Sequence, residues 1–442
     1  MFKPPKPTFR TFWALCLSTL LLIAGTSRAQ IPTTVISTVA DAINQMEQQW
    51  AQDYSDYFGI PIVDLDTQVE TVAETLRELE ETTGRKAAVL WLMSTPKYLN
   101  LALTTPDTLA ISSDIFTADA QSLERTLRAF QRGVSNPRRS NAYRQPAAQL
   151  YDWIIAPIAD VLQRDHIDIL LICGGKGLRA IPFGAFYDAA HDQFLIEQFS
   201  LAQIPAFNLL QTGHHPLKNA QVLAMGASEF TTLPDLPGVE AELQSIPLPR
   251  WQSRAFLNTE FTPDRLRQEQ ADCHCEIVHL ATHAEFRPGT PDNSYIQFFD
   301  QPLGLDQVRQ LGWGDPPVEL VVLSACETAS GDEDAELGFA GLAVQSGAKA
   351  ALASLWLISD LGTVGIMGEF YHGLQTAPTK ADALRQAQLA MLRGDVAIAN
   401  DQIQTRGGNI DLTSEILDFT QEGQTFTHPY YWAAYTLIGN AW

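Results

Sequence analysis

The chain has 442 residues, enough for two or three ordinary domains or one large one with additions, and its 45% hydrophobic content allows a sizeable core. A balance of 29 Lys and Arg against 51 Asp and Glu gives a net charge of -22, which disfavours nucleic acid and anionic membrane surfaces as partners. That charge suits either cationic peptide partners or the solubility of an exported protein.

Residues 1–29 read as a secretory signal. Lys3, Lys6 and Arg10 supply a positive start, Phe12 to Gly25 an apolar stretch, and Ser27-Arg28-Ala29 a small-x-small cleavage site. The apolar run is shorter than the ~20 residues that span a bilayer, with an uncleaved anchor as the alternative. Cys16 lies inside it and not at its end, which argues against a lipid-attachment cysteine. No other stretch is long and apolar enough to span, so the expectation is an exported protein, periplasmic or extracellular, without an integral membrane span once cleaved. Cys173, Cys273, Cys275 and Cys326 survive cleavage. Cys273 and Cys275 stand too close in sequence to bridge without strain, and no essential disulfide is expected.

From Ile31 to about Arg85, apolar residues recur at three and four (Val69, Val72, Ala73, Leu76, Leu79) among carboxylates, which predicts amphipathic helices interrupted near Gly59-Ile60-Pro61. A helical repeat of about 34 residues is not visible. AAVLWLM and LNLALTT read as a hairpin, followed by a helix through Leu123, Leu127 and Phe130. Arg132, Arg138, Arg139 and Arg144 form a basic cluster that reads as a solvated loop or, more sharply, a processing site. Residues 30–146 are thus a helical N-terminal region with a β-hairpin, and residues 147–442 carry the core.

The core opens with the helix AAQLYDWIIAPI and the strand IDILLICGG. Gly175-x-Gly177-x-x-Ala180 follows that strand in the manner of a dinucleotide fingerprint, but Pro182 interrupts the helix that the fingerprint requires, and no cofactor is expected. In CHCEIVHLATH, Cys273, Cys275, His279 and His283 suggest zinc. Two strand residues four apart lie about 13 Å from each other, however, too far to share one ion, and His279 reads as packing or orienting the strand.

EIVHLATHAEF and ELVVLSACETASG share one grammar: a short β-branched apolar run ends on a reactive side chain, His283 in the first and Cys326 in the second. As neighbouring parallel strands of an open α/β sheet, both would present those side chains at their carboxyl ends. Only the thiolate attacks carbonyl carbon well, and an imidazole can take the thiol proton and return it to a leaving amine. A small buried cysteine and a hydrogen-bonded strand-end histidine are the plainer alternative. Beyond Cys326, Glu327, Asp332, Glu333, Asp334 and Glu336 crowd one loop, either simply solvated or lining a pocket for Arg or Lys before the cut.

These segments resemble the CHAT family, relatives of caspases and separase in the caspase-like cysteine protease clan. HLATHAEF is similar to the family's histidine strand, LSACETASGD to its cysteine strand, and ELGFAGLAVQSGAKAALASLW to the small-residue helix and next strand. GLRAIPFGAF, LPGVEAEL and the terminal HPYYWAAYTLIGNAW extend the likeness from about Ala147 to the end, with a start as early as Ala87. The resemblance implies a caspase-like open, mostly parallel α/β sheet flanked by helices, and a Cys-His dyad at Cys326 and His283 acting on a protein or peptide substrate. It also implies oxyanion stabilisation by the backbone N–H groups of Cys326 and Ala284, and Asp360 as a further acid of the substrate pocket, beside Asp332 and Asp334 of the crowded loop. Ala284 stands where the clan usually has glycine: it keeps the N–H but loses glycine's freedom at φ > 0. A catalytically weak CHAT module that binds peptide or a protein partner is therefore the competing reading. After the helix ADALRQAQLAMLR, residues 394–427 read as a polar, irregular surface insertion, and HPYYWAAYTLIG as a turn into a last core strand.

Overall fold

Near-continuous runs of Ala, Val, Leu and Ile mark strands buried on both faces, and the chain spends them on one mixed, mostly parallel sheet of thirteen strands. The computed structural model describes residues 33–59, 69–139, 141–246, 253–328, 332–412, 414–417 and 420–442. The expected secretory leader lies outside these residues, as do positions 60 and 61 of the expected helix interruption. Along the histidine strand (Ile277–Phe286) and the cysteine strand (Leu320–Thr328), side chains alternate between two cores. Ile277, Ala281, Leu320 and Val322 pack on one face, and Val278, Leu280, Val321 and Leu323 on the other.

The sheet is built from two halves with the same local order. In the first, Ala87–Ser94 pairs in parallel with Ile169–Gly174, which pairs in parallel with Ser200–Ile204, while Leu99–Thr104 and Ile111–Ile115 extend the outer edge antiparallel. In the second, the histidine strand pairs in parallel with the cysteine strand, and the cysteine strand with Ala350–Ser354; Tyr295–Gln297 and Pro302–Gly304 extend the edge antiparallel. The last strand, Tyr435–Gly439, is the seam, parallel to Ser200–Ile204 and antiparallel to Ala350–Ser354, so the halves run in opposite directions. Val222–Gly226 and Arg254–Leu257 add two more parallel strands beside the amino-terminal half of the histidine strand. The expected hairpin is thus part of the same sheet as the core, which continues across residue 147 without a break.

The N-terminal helix Thr33–Phe58 lies across this frame, and Val69–Thr83 follows with Val69, Val72, Ala73, Leu76 and Leu79 all buried. The small residues of helices Glu333–Ala340 and Leu342–Ser346 have a definite purpose. A Cβ at Gly338 would come within 3.2 Å of the Tyr57 hydroxyl, so glycine there lets the N-terminal helix dock. The insertion read as irregular is partly ordered: Ala397–Ala399, Gln402–Thr405 and Gly408–Asp411 form a three-stranded antiparallel sheet, with Gly407-Gly408 at its second turn. A second correction concerns Cys273 and Cys275, which are joined in a disulfide with Cα atoms 5.1 Å apart. His274 between them takes a left-handed conformation as the helix Pro263–Cys273 ends, and this reversal brings the two sulfurs together. Among the described residues no helix is long and apolar enough to cross a membrane.

Candidate active site

The histidine and cysteine strands are parallel neighbours, as their shared grammar predicts. Their register runs Ile277 to Leu320 through Leu280 to Leu323, then resumes as His283 to Ala325 and Ala284 to Cys326. One extra residue therefore sits in the histidine strand between Leu280 and His283, a bulge of the kind that re-aims side chains beside functional sites. It sets Ala284, and not His283, level with Cys326, so His283 stands level with Ala325, one residue before Cys326 on a strand about 4.8 Å away.

His283 is 9% exposed and held from two directions. Its Nε2 lies 2.8 Å from the Pro234 carbonyl oxygen, and the Phe230 ring packs against it with centroids 4.8 Å apart. A carbonyl only accepts, so Nε2 must carry the proton, and the neutral ring has its lone pair on Nδ1. Among the described residues Nδ1 has no hydrogen-bond partner. The imidazole is thereby fixed in one tautomer with its basic nitrogen uncommitted, the state a general base needs. A backbone carbonyl does here what a third, acidic side chain does in other nucleophilic sites. Sequence reading missed Pro234, because a carbonyl oxygen leaves no side-chain signature.

Asp360 opens the helix Asp360–Leu374 and is half-buried, its Oδ2 accepting from the Gly238 N–H at 3.1 Å. Burial holds this carboxyl above the usual carboxylate range, and the Glu242 charge adds to the rise, against the lowering pull of the Gly238 N–H and of His283. The two loop acids are otherwise engaged. Asp332 caps the helix Glu333–Ala340 by accepting from the N–H groups of Asp334 and Ala335 at 3.1 Å, and Asp334 accepts from the Gly289 N–H at 3.0 Å, tying the loops beyond the two strands together. Ala284 is 2% exposed, level with Cys326 on one side and Ile296 on the other. Leu357, following the Ala350–Ser354 strand, is 44% exposed and Phe230 is half-exposed, so apolar surface flanks the His283–Asp360 side of the site.

The other residues that sequence singled out for metal or nucleotide lie elsewhere in the chemistry. His279 is sealed, with Nδ1 3.0 Å from the Tyr371 hydroxyl and Nε2 3.1 Å from Glu242, and shares no partner with His283. The Gly175–Gly177 turn starts no helix; its Gly177 N–H donates to Glu336 at 3.0 Å and Lys176 pairs with Glu333, so the protein's own carboxylates occupy it. A cavity of about 320 Å³ lies at the amino end of the Ala350–Ser354 strand, lined by Arg309, Lys349 and Leu209 among others, away from the carboxyl ends that carry His283 and Cys326.

Two comparisons of sequence and one of structure agree with this architecture. Tetratricopeptide repeat protein 28 of Homo sapiens is 22% identical over 393 residues, covering 74% of this chain, and its Mus musculus counterpart is 24% identical over 370 residues, covering 69%. The chain spans only 15% and 14% of the length of those relatives. The Saccharomyces cerevisiae separase–securin complex at 3.0 Å contains a chain that superposes with a TM-score of 0.54 at 9% identity, over 92% of this chain and 34% of that one, which shows a shared caspase-like fold. The sequence profile of the CHAT domain matches residues 144–440, and on that extent this chain belongs to the CHAT domain family.

Proposed function

We propose that the chain is a cysteine endopeptidase of caspase-like type, with Cys326 as nucleophile and His283 as general base and then acid. The observation that carries the reading is a tautomer-fixed His283, its Nε2 spent on Pro234, on a strand paired in parallel with the cysteine strand, where Cys326 follows the residue level with it. Thiol to Nδ1 proton transfer gives a thiolate that attacks the substrate carbonyl, and the imidazolium returns the proton to the leaving amine. Of the three acids proposed for substrate binding, Asp360 is the one whose charge meets His283, while Asp332 and Asp334 hold the surrounding loops. A basic residue before the cut follows from the half-buried Asp360 carboxyl at the head of its helix. Hydrolysis of fluorogenic peptides with Arg, Lys, Leu or Asp at that position tests both parts. Turnover of the Arg and Lys peptides, absent in Cys326→Ala, is the expected result; turnover with no basic bias removes the specificity, and no turnover of any peptide removes the activity.

A catalytically weak module that binds peptide is favoured by one observation. Ala284 is closed into the sheet with strand partners on both sides, where its N–H serves the ladder more readily than an oxyanion. We also place the protein outside the cytoplasm, on the leader of residues 1–29. An N-terminus at Gln30 on protein recovered from the extracytoplasmic fraction supports this, and a chain retaining Met1 in the cytosol contradicts it.

A further inference from the structure

Beneath the site lies a buried carboxylate with no role yet assigned in the dyad. Glu242, on the helix Val239–Ser245, is 2% exposed and has no Lys or Arg within ion-pair distance among the described residues. An isolated buried carboxylate is costly unless its oxygens find polar partners. Here Oε2 accepts from the Ser324 hydroxyl at 3.1 Å, and Oε1 lies 3.1 Å from His279 Nε2, a close polar contact without hydrogen-bond geometry. His279 is on the histidine strand, four residues before His283, and Ser324 is on the cysteine strand, two before Cys326. One carboxylate thus bridges both strands of the candidate dyad, immediately before the bulge.

The protons along this network agree. Burial, with Glu242 next, pushes the Tyr371 phenol well above its ordinary range, so its hydroxyl stays protonated and can donate to His279 Nδ1 at 3.0 Å. That leaves the proton on Nε2, the nitrogen 3.1 Å from Glu242 Oε1. The Tyr435 hydroxyl donates to the Ser324 carbonyl at 2.8 Å, fastening the seam strand to the same point. Register is the property at stake. Without the extra residue between Leu280 and His283, continuation of the earlier register would bring His283 itself level with Cys326. A slip of one residue exchanges the faces of a strand, and a buried polar network is a means of forbidding it.

We propose that Glu242 is a positioning residue for the Cys326–His283 pair, holding their strands in the bulged register through His279 and Ser324. The inference rests on the peptidase reading, and its test separates the two. Glu242→Gln and Ser324→Ala are compared with wild type in two assays: inactivation by an arginyl acyloxymethyl ketone, resolved into kinact and KI, and alkylation of Cys326 by iodoacetamide across pH, read by peptide mass mapping of folded protein. Glu242→Gln lowers kinact roughly tenfold to a hundredfold with KI unchanged and alters the pH profile of Cys326 alkylation; Ser324→Ala does the same to a smaller degree. A folded Glu242→Gln protein with wild-type kinact and a wild-type alkylation profile overturns the proposal. If wild type is alkylated but never inactivated by the ketone, the peptidase reading falls, and positioning is judged on alkylation alone, where a change supports it and identity overturns it. If Glu242→Gln fails to fold, Ser324→Ala decides by the same criteria.

Discussion

The two halves of the sheet use one strand order for opposite ends. In the first half Cys173 ends a central parallel strand level with Trp91, much as Cys326 stands level with Ala284 in the second. Cys173, however, is 0% exposed, donates to the Pro205 carbonyl, and is pushed well above the usual thiol range by burial, with the Glu47 charge adding to the effect. The N-terminal helix closes that end. Glu47 takes the Trp91 indole N–H at 2.6 Å and the Phe207 and Asn208 N–H groups, and Trp50 packs so closely on Gly175 that a Cβ there would stand 3.2 Å from its ring. In the second half no such plug covers His283 among the described residues, and it packs against the half-exposed Phe230 ring. A cysteine at a strand end is therefore not reactive by position alone. Desolvation silences one, and a fixed imidazole with an uncommitted nitrogen is what the proposed dyad offers the other.

The sharpest way to break the comparison is to unplug the silent half. Trp50→Ala removes a nearly buried indole and costs about 3 to 5 kcal/mol, read as a lowered midpoint in urea. It exposes Cys173 to iodoacetamide in the native state without changing the rate at which Cys326 is alkylated. If both cysteines respond alike, the halves are not independent. A smaller effect distinguishes the acids: Asp360→Asn lowers turnover of Arg and Lys peptides by roughly tenfold to a hundredfold, whereas Asp332→Asn, which keeps the capping acceptor, leaves the ratio of basic to neutral substrates unchanged. The smallest is a pH effect on stability. Asp360 titrates higher in the folded chain than its ordinary 3.8, so the native state holds more protons and wild type loses stability as pH rises above that value. Asp360→Asn does not, and its melting temperature exceeds that of wild type at pH 7 by an amount that vanishes on acidification below pH 3.8. A constant difference across pH contradicts the assignment.

Much of this was legible in the residues. The apolar spacing of Val69, Val72, Ala73, Leu76 and Leu79 predicted the buried face of its helix, and the β-branched runs before His283 and Cys326 predicted adjacent parallel strands. What escaped has physical causes. The duplication of the strand order left no repeat in sequence because buried strands ask only for apolar side chains, a demand many sequences meet. The bulge is a backbone event with no residue type of its own, and the Pro234 acceptor is an atom every residue carries. The Cys273–Cys275 bridge depends on the left-handed His274, which spacing alone does not reveal. Glu242 did leave a signal. With Val239, Leu243 and Ile246 it falls on one helical stripe, and an acid on an apolar stripe marks a buried partner.

The most direct test of the central claim is labelling of the folded protein, in reducing buffer, by an arginyl acyloxymethyl ketone, with wild type beside Cys326→Ala and His283→Ala. The account predicts one adduct in wild type, on Cys326 and not on Cys173, with its rate reduced at least about a thousandfold in both variants. Labelling that survives in Cys326→Ala, or folded wild-type protein that takes no label, would contradict it.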